Sequence, residues 1–141
     1  MIRNSTKRII ITKKSVFVDD IFSKFIGLMF SKKQDRGLIF RFNKEKIISL
    51  HMFFVFYPID VLFLDKNKFV VDKKENFKPF TFYKSKRKAM YAIELPNETI
   101  RKTKTRLGDK IKFWFFNFLY FLFIVFLFLL FLVNVLISIM F

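Results

Sequence analysis

The sequence contains no cysteine, one histidine, three glycines and three prolines among its 141 residues. Without cysteine the chain can form neither disulfides nor thiolate metal sites, and it has no cysteine nucleophile. The glycines, Gly27, Gly37 and Gly108, lie too far apart in sequence to build a glycine-rich phosphate-binding loop. The motifs HExxH and GxSxG are absent as well, so the sequence carries no zinc-protease or serine-hydrolase signature.

Charged residues are absent from the C-terminal part of the chain. All 27 Lys and Arg residues and all 11 Asp and Glu residues lie between Met1 and Lys112, and residues 113–141 carry none. The formal net charge of +16 therefore belongs to the first part of the chain, whereas much of the 53% hydrophobic content belongs to the tail. This division excludes a polytopic transporter and a multi-domain enzyme, and it predicts one basic domain followed by an apolar segment.

The apolar tail predicts a single transmembrane helix over residues 113–141. A helix of this length would extend about 43 Å, against a hydrocarbon core of about 30 Å. One tilted span fits, but two spans do not, because each needs roughly 17 or more residues. Arg106, Lys110 and Lys112 precede the tail and favour a cytoplasmic position for the N-terminal domain, while Trp114 is expected at the membrane interface. The sequence thus predicts a single-pass protein of the cell membrane.

The segment before the tail predicts a mainly β fold. Runs of β-branched and aromatic residues alternate with turn signals and give strand candidates at residues 8–12, 15–18, 37–42, 46–56, 60–65, 68–72, 90–96 and 110–113. Residues 21–29 follow a helical period with Asp19 or Asp20 as N-cap, and residues 97–106 include a possible helical turn. We expect a small β-sandwich or barrel with one short helix, followed by the single C-terminal transmembrane helix.

Three segments follow from these patterns. Residues 1–14 form a basic N-terminal segment with a first strand, residues 15–112 form the β-rich domain, and residues 113–141 form the membrane anchor. The lysines and arginines of the first two segments would attract anionic lipid headgroups, at about 1 kcal/mol for each charge near the surface. A drift in genome composition toward lysine is the other explanation for the high charge.

His51, Asp60 and Glu94 are the candidate ligand-binding residues. A pocket that combines Asp60 with Glu94 could hold a cation or bind a basic ligand, since a buried carboxylate needs a partner. Asp60 could instead cap a turn by accepting backbone N–H groups, and Glu94 could face solvent or pair with an arginine. A single histidine cannot complete a catalytic zinc site, which usually takes three protein ligands. No catalytic residue, metal site or cofactor is therefore assigned.

Three functions remain open from the residues alone. The first is a membrane-anchored binding or accessory module, with the lipid bilayer and an unidentified membrane or cytoplasmic protein as partners. The second is a nucleic-acid-binding domain held at the membrane; nucleic acid is the less favoured partner because no recognition helix or RNP motif accompanies the lysines. The third is a carboxylate-based hydrolase or metal-dependent enzyme, which would require that Asp60 and Glu94 share a pocket.

Several sequence blocks occur in an order that resembles a known family. They are GLMF (residues 27–30), GLIFRF (37–42), HMFFVFYPIDVLFLD (51–65), VV (70–71), KPF (78–80), AMYAIELP (89–96) and GDKIKF (108–113). This order resembles the family called domain of unknown function 192, especially its archaeal-type members, over roughly residues 16–113. The resemblance implies a compact β-rich sandwich or barrel with a short helix that carries the GLM element, and it leaves the activity unassigned.

Two departures limit what the resemblance implies. Many bacterial relatives have an aromatic-Met-Lys-Asn-Thr run before the proline, where this chain has HMFFVFYP, so no role of that run carries over. Many relatives also have a glycine after the ELP strand, where this chain has Asn97 and Glu98. The added C-terminal helix lies outside the family domain and rests on the tail sequence alone.

Overall fold

The computed structural model describes residues 1–18, 35–113 and 126–129 of the chain. In chain order, the described strands are β1 (Ile2–Asn4), β2 (Ile9–Thr12), β3 (Ser15–Val18), β4 (Gly37–Lys46), β5 (Ser49–His51), β6 (Ile59–Leu64), β7 (Val70–Phe77), β8 (Phe82–Lys84), β9 (Ala89–Pro96) and β10 (Ile111–Phe113). A single helical turn, α1 (Thr99–Lys102), lies between β9 and β10. Residues 126–129 are also helical.

A five-stranded sheet in the order β3-β4-β9-β6-β7 forms the centre of the domain. Strands β3 and β4 are parallel, and the other neighbours are antiparallel. All six residues of β6, IDVLFL, are buried, because this strand lies inside the sheet and other elements cover both of its faces. The sequence of a strand buried on both faces is usually a continuous apolar run, and in β6 only Asp60 interrupts this run.

One face of the central sheet is covered by a three-stranded sheet in the order β10-β1-β2. We call this face the terminal side, because its cover comes from both ends of the domain. Ile2, Ile11, Ile111 and Phe113 of the covering strands pack in one buried cluster with residues of the central strands; the cluster includes Ile39, Leu62, Leu64, Tyr91, Ile93 and Leu95. These side chains alternate along each central strand with those of the opposite face.

The opposite face is covered by the two-stranded sheet β5-β8 and the loop that follows β5; we call it the hairpin side. Ile48, Met52 and Val55 are buried there, with Leu50 and Tyr83 packed against them. They form a second cluster with central residues that include Leu38, Phe40, Val61, Phe63 and Ala92. The domain therefore has three layers, with the five-stranded sheet between two smaller ones.

The mainly β prediction is confirmed, and the structure specifies it further. The predicted strands at residues 8–12, 15–18, 37–42, 60–65, 90–96 and 110–113 correspond to β2, β3, β4, β6, β9 and β10. Among the described strands no sheet closes into a barrel, since β3 and β7 remain as the edges of the central sheet. Of the two expected architectures, the layered one is thus observed.

The single strand predicted over residues 46–56 is wrong. Strand β4 continues to Lys46, β5 contains only Ser49–His51, and the chain then turns at Phe54, whose φ of 58° is incompatible with a strand. A bulky residue with positive φ is rare because its side chain crowds the backbone. The apolar run at residues 52–56 therefore forms a loop that the alternation of residue types did not reveal.

Two predicted helices fall mainly or wholly outside the described residues. The short helix at residues 21–29 lies outside them, as does the predicted span apart from Phe113 and residues 126–129. In the part of the chain that the structure describes, no helix is both long and apolar enough to cross a membrane. Phe113 itself is the last residue of β10, and its ring packs against Phe17 and Tyr91 at centroid distances of 5.6 and 5.4 Å.

Candidate functional site

Asp60 is a buried carboxylate whose two oxygens both accept backbone N–H groups. Oδ1 accepts from the N–H of Asn76 at 3.0 Å, and Oδ2 accepts from the N–H of Ile100 at 2.9 Å. Ile100 lies in the first turn of α1, where backbone N–H groups have no partner within the helix. Asp60 thus joins β6 to the end of β7 and to the helical turn, which matches the capping alternative rather than a reactive carboxylate.

A polar cleft of about 190 Å³ opens beside Asp60. Its lining comprises Asp60, Glu75, Asn76, Asn97, Glu98 and Arg101. Glu98 forms ion pairs with Arg101 and Lys102, and the hydrogen bond from Lys102 and the charge of Arg101 lower the pKa of Glu98. The carboxylates beside this cleft are therefore largely engaged within the chain.

Glu94, the other candidate carboxylate, accepts no hydrogen bond and forms no ion pair among the described residues. It lies half-buried in β9, with Leu38 of β4 and Val61 of β6 directly opposite on the two neighbouring strands. Burial raises the pKa of Glu94 to about 7, and no hydrogen bond among the described residues offsets that effect. A carboxylate in an apolar layer favours its neutral form, because the charged form loses hydration.

Asp60 and Glu94 point to opposite faces of the central sheet. Across β6 and β9, Asp60 pairs with Leu95 and Val61 pairs with Glu94. Paired residues share a face, and consecutive residues alternate between faces. Glu94 therefore lies on the hairpin side and Asp60 on the terminal side, so the structure does not bring them into one pocket.

His51 lies elsewhere again, at the exposed end of β5. Its ring packs at a tilt against Phe53 at a centroid distance of 5.2 Å, and Phe53 contacts Phe82 of β8 edge-on at 4.9 Å. The structure therefore places His51 in a surface cluster of aromatic rings. Within residues 1–18, 35–113 and 126–129, no group of three His, Asp or Glu side chains is arranged to hold a metal ion.

Of the four residues expected at the membrane interface, the structure describes three, and all three are exposed. Lys112 is exposed on the outer surface of β10, and Lys110 is exposed just before that strand, with its ammonium 4.9 Å from the Phe69 ring. Arg106 is exposed in the turn that precedes them, whereas Trp114 lies outside the described residues. Lys112 pairs directly with Arg3 of β1, so two cations face each other across these strands.

A buried polar network, which no sequence motif indicated, joins the two ends of the domain. Asn4 Nδ2 donates to Asp109 Oδ2 at 2.7 Å and to Thr105 Oγ1 at 3.3 Å, and the Lys7 ammonium lies 3.4 Å from the same Asp109 oxygen. Burial acts to raise the pKa of Asp109, but the N–H of Arg106, the Asn4 amide and the Lys7 charge outweigh it and lower that pKa. The alternation in β1, which buries Ile2 and Asn4, is the signal that points to an inward Asn4.

A second network lies on the hairpin side. Asp72 accepts hydrogen bonds from the Tyr83 hydroxyl at 2.9 Å, from the Lys86 N–H at 2.8 Å and from the Lys73 N–H at 2.8 Å. Burial, the hydrogen bond to Asp72 and the charge of that carboxylate raise the pKa of Tyr83 to about 12. This network fastens the short β5-β8 sheet to β7.

Comparison with known proteins places the domain among relatives of unassigned activity. The family profile DUF192, described as "Uncharacterized ACR", matches residues 5–113. The UPF0127 protein of Pyrococcus horikoshii is 39% identical over 117 residues, which cover 82% of this chain and 99% of that protein. The UPF0127 protein of Thermococcus sibiricus is 37% identical over 113 residues, which cover 79% of this chain and 73% of that protein.

Two solved structures share the fold. A Sinorhizobium meliloti protein, provisionally described as a transcription regulator, has a TM-score of 0.66 at 22% identity and covers 70% of this chain and 79% of its own. A Novosphingobium aromaticivorans protein of unknown function has a TM-score of 0.65 at 21% identity, with 70% of this chain and 74% of its own covered. At these identities the likeness concerns the fold alone. The family profile and the archaeal relatives together show that this chain belongs to the DUF192 (UPF0127) family.

Proposed function

We propose that this chain is a membrane-anchored binding module whose folded domain lies against the cytoplasmic face of the cell membrane. The charge-free segment that follows Phe113, residues 114–141, supplies the anchor, and the domain turns its basic outer face toward anionic headgroups. We define the basic outer face by Arg3, Lys110 and Lys112 on the solvent side of the three-stranded sheet. The hydrolase alternative loses support because Asp60 and Glu94, the pair on which it depends, occupy opposite faces of the sheet.

The observation that carries the proposal is the direct pairing of Arg3 with Lys112. Like charges that face each other across two strands destabilise a sheet unless an opposite charge lies nearby. Neither side chain forms an ion pair with any residue that the structure describes. A negatively charged membrane surface would supply the missing counter-charge.

The position of the pair along the chain supports the same arrangement. Lys112 is followed by Phe113, the last residue of β10, after which the charge-free run continues to the C-terminus. The ammonium of Lys68 lies 4.3 Å from the Phe113 ring, which adds a further cation where the strand ends. Ile10, paired with Arg3 on the other side, is 46% exposed and gives this surface an apolar component. Membrane-surface binding commonly combines apolar contact with cationic attraction.

Alkaline carbonate extraction tests the anchor. Full-length protein is expected to remain with the membrane pellet, because an inserted apolar helix is held by hydrophobic contact rather than by charge. The matched control should end after Phe113, since this residue is buried in the core and must be kept. Release of the full-length protein into the carbonate supernatant, or its solubility at neutral pH without detergent, would overturn the proposal.

Vesicle binding by the chain ending at Phe113 tests the basic outer face. Replacing Arg3 and Lys112 with Gln together is expected to weaken binding to anionic vesicles by about tenfold or more. The control replaces Lys86 and Arg87, which are exposed in the turn after β8, and should bind more tightly than the first variant. Titration with single-stranded nucleic acid at several salt concentrations tests the alternative function, a nucleic-acid-binding domain held at the membrane. Nucleic-acid binding that depends steeply on salt, together with weak vesicle binding, would favour that alternative.

A further inference from the structure

An aromatic patch occupies the solvent side of the β5-β8 layer. We define it by His51, Phe53, Phe56, Phe80 and Phe82. Phe53, Phe56, Phe80 and Phe82 are 37, 64, 53 and 70% exposed. The rings contact in two pairs, Phe53 against Phe82 at 4.9 Å and Phe56 against Phe80 at 5.6 Å. The two pairs share the segment from Phe80 to Phe82, and a cluster of exposed aromatic rings is uncommon on a protein surface and marks a place of interaction.

The backbone beneath the patch is held in place by hydrogen bonds. Met52, buried in the core, donates its N–H to the carbonyl of Thr81 and accepts the N–H of Phe80, both at 2.9 Å. The Thr81 hydroxyl also donates to the carbonyl of Lys78 at 2.6 Å. Phe80 has a φ of 58°, a left-handed conformation that is costly for a bulky residue. Such strain persists only where the surrounding structure enforces it, so the patch is presented in a fixed arrangement.

Cations border the aromatic patch. Lys84 lies two residues after Phe82 on β8 and therefore on the same face of that strand, and Lys78 lies two residues before Phe80. Both lysines are exposed, and neither forms an ion pair with a described residue. The surface thus combines apolar rings with positive charge, which is complementary to a ligand that carries apolar groups and negative charge.

The layer order separates the patch from the membrane surface, and this step rests on the proposed function. The basic outer face belongs to the sheet on the terminal side, whereas the patch belongs to the sheet on the hairpin side. Packed sheets lie about 10 Å apart, so two such spacings put the patch roughly 20 Å from the basic outer face. With that face on the bilayer, the aromatic patch points away from lipid.

We infer that the aromatic patch is a docking surface for a partner protein that presents an acidic segment with apolar side chains. The phenylalanines would bury the apolar side chains of that segment, and Lys78 and Lys84 would pair with its carboxylates at the rim. Aromatic side chains at the centre of an interface commonly contribute most of the affinity, whereas rim charges contribute specificity. The module would in this way hold an acidic partner at the membrane.

Fluorescence anisotropy with full-length protein in neutral-lipid nanodiscs tests this inference. The probe is a short labelled peptide in which leucine alternates with glutamate. Two comparison peptides replace glutamate with lysine or leucine with serine. We expect the leucine-glutamate peptide to bind and both comparison peptides to bind at least about tenfold more weakly, since each lacks one of the two contacts.

Variants of the protein locate the binding. Replacing Phe56 and Phe82 with Ser should weaken binding of the leucine-glutamate peptide by about tenfold or more. Both side chains are more than half exposed, so the fold should survive their replacement. The matched control replaces Phe69 and Leu107, exposed to 37 and 57% and outside the patch, and should bind as the unmodified protein does. Lys84→Glu should weaken binding of the same peptide.

Three results would overturn the inference. They are equal binding of the serine peptide, unchanged binding by the Phe56 and Phe82 variant, and burial of the patch in lipid. For the last, Phe56→Trp in a Trp114→Phe background provides a single indole, because the chain has one tryptophan. Quenching of this indole by brominated lipid would assign the patch to the bilayer. Loss of the protein from the nanodiscs on gel filtration would instead contradict the proposed function, and the peptide result would stand separately.

Discussion

At the scale of single residues, Asp60 illustrates a carboxylate that supports the fold. Its oxygens accept the backbone N–H groups of Asn76 and Ile100. Asp60→Ala should destabilise the domain by about 2–4 kcal/mol, because it leaves two N–H groups with no acceptor. Urea unfolding of the chain ending at Phe113 measures this change, with Glu75→Ala as an exposed control. An unchanged midpoint for Asp60→Ala would show that the two hydrogen bonds do not stabilise the domain.

For Glu94 we expect the opposite effect, because replacing this side chain should increase the free energy of unfolding. Its folded-state pKa of about 7 lies above the ordinary value of 4.5, so the folded chain binds the proton more tightly than the unfolded chain does. With Glu94 in place, the domain is therefore most stable below pH 4.5, where the carboxyl is protonated, and it loses stability as the pH rises through 7. Glu94→Gln should therefore add about 2 kcal/mol of stability at alkaline pH and little in acid. Equal stability of the two proteins at high pH would show that burial does not raise the pKa of Glu94.

At the scale of elements, the first strand is fastened to the turn before the last one by Asn4. Its amide donates to Asp109 and Thr105, and all three side chains are buried. Asn4→Ala should reduce the free energy of unfolding by about 1–3 kcal/mol, since Asp109 loses its shortest partner. Asn67→Ala, in the exposed turn between β6 and β7, should have a much smaller effect in the same urea experiment.

The loop that presents the aromatic patch stores strain at Phe80. Because glycine adopts a positive φ without steric cost, Phe80→Gly should be more stable than Phe80→Ala by about 1 kcal/mol. Both variants lose the ring contact with Phe56 and should bind the leucine-glutamate peptide more weakly than the unmodified protein. Paired measurements of thermal unfolding and peptide binding check this prediction. Greater stability of the alanine variant would show that the left-handed conformation is not strained.

At the scale of the whole molecule, short-range patterns predicted most strands and little of the site. Mainly apolar runs identify β6 and β9, because each lies within the central sheet. The sheet face on which Asp60 or Glu94 lies depends on how its strand pairs with strands that are distant in sequence. A shift of that pairing by one residue would move the side chain to the other face. Neither residue's neighbours along the chain specify that register.

The sequence does not reveal the aromatic patch, because phenylalanine is abundant in the chain. With 24 phenylalanines in the chain, no single exposed ring is distinctive in sequence. Phe63 and Phe77 are fully buried while Phe56 and Phe82 are exposed, and the difference arises from where the chain leaves the central sheet. The terminal apolar run, by contrast, is distinctive in sequence because length and absence of charge set it apart.

Flotation of the full-length chain with vesicles at about 1 M salt measures directly whether the segment beyond Phe113 anchors the protein in the membrane. At that salt the screening length falls to about 3 Å, so headgroup attraction is removed and only apolar insertion remains. Full-length protein reconstituted into neutral or anionic vesicles should float with them, while the chain ending at Phe113 should stay at the bottom of the gradient. Full-length protein that also stays at the bottom would show that the segment beyond Phe113 does not anchor the chain.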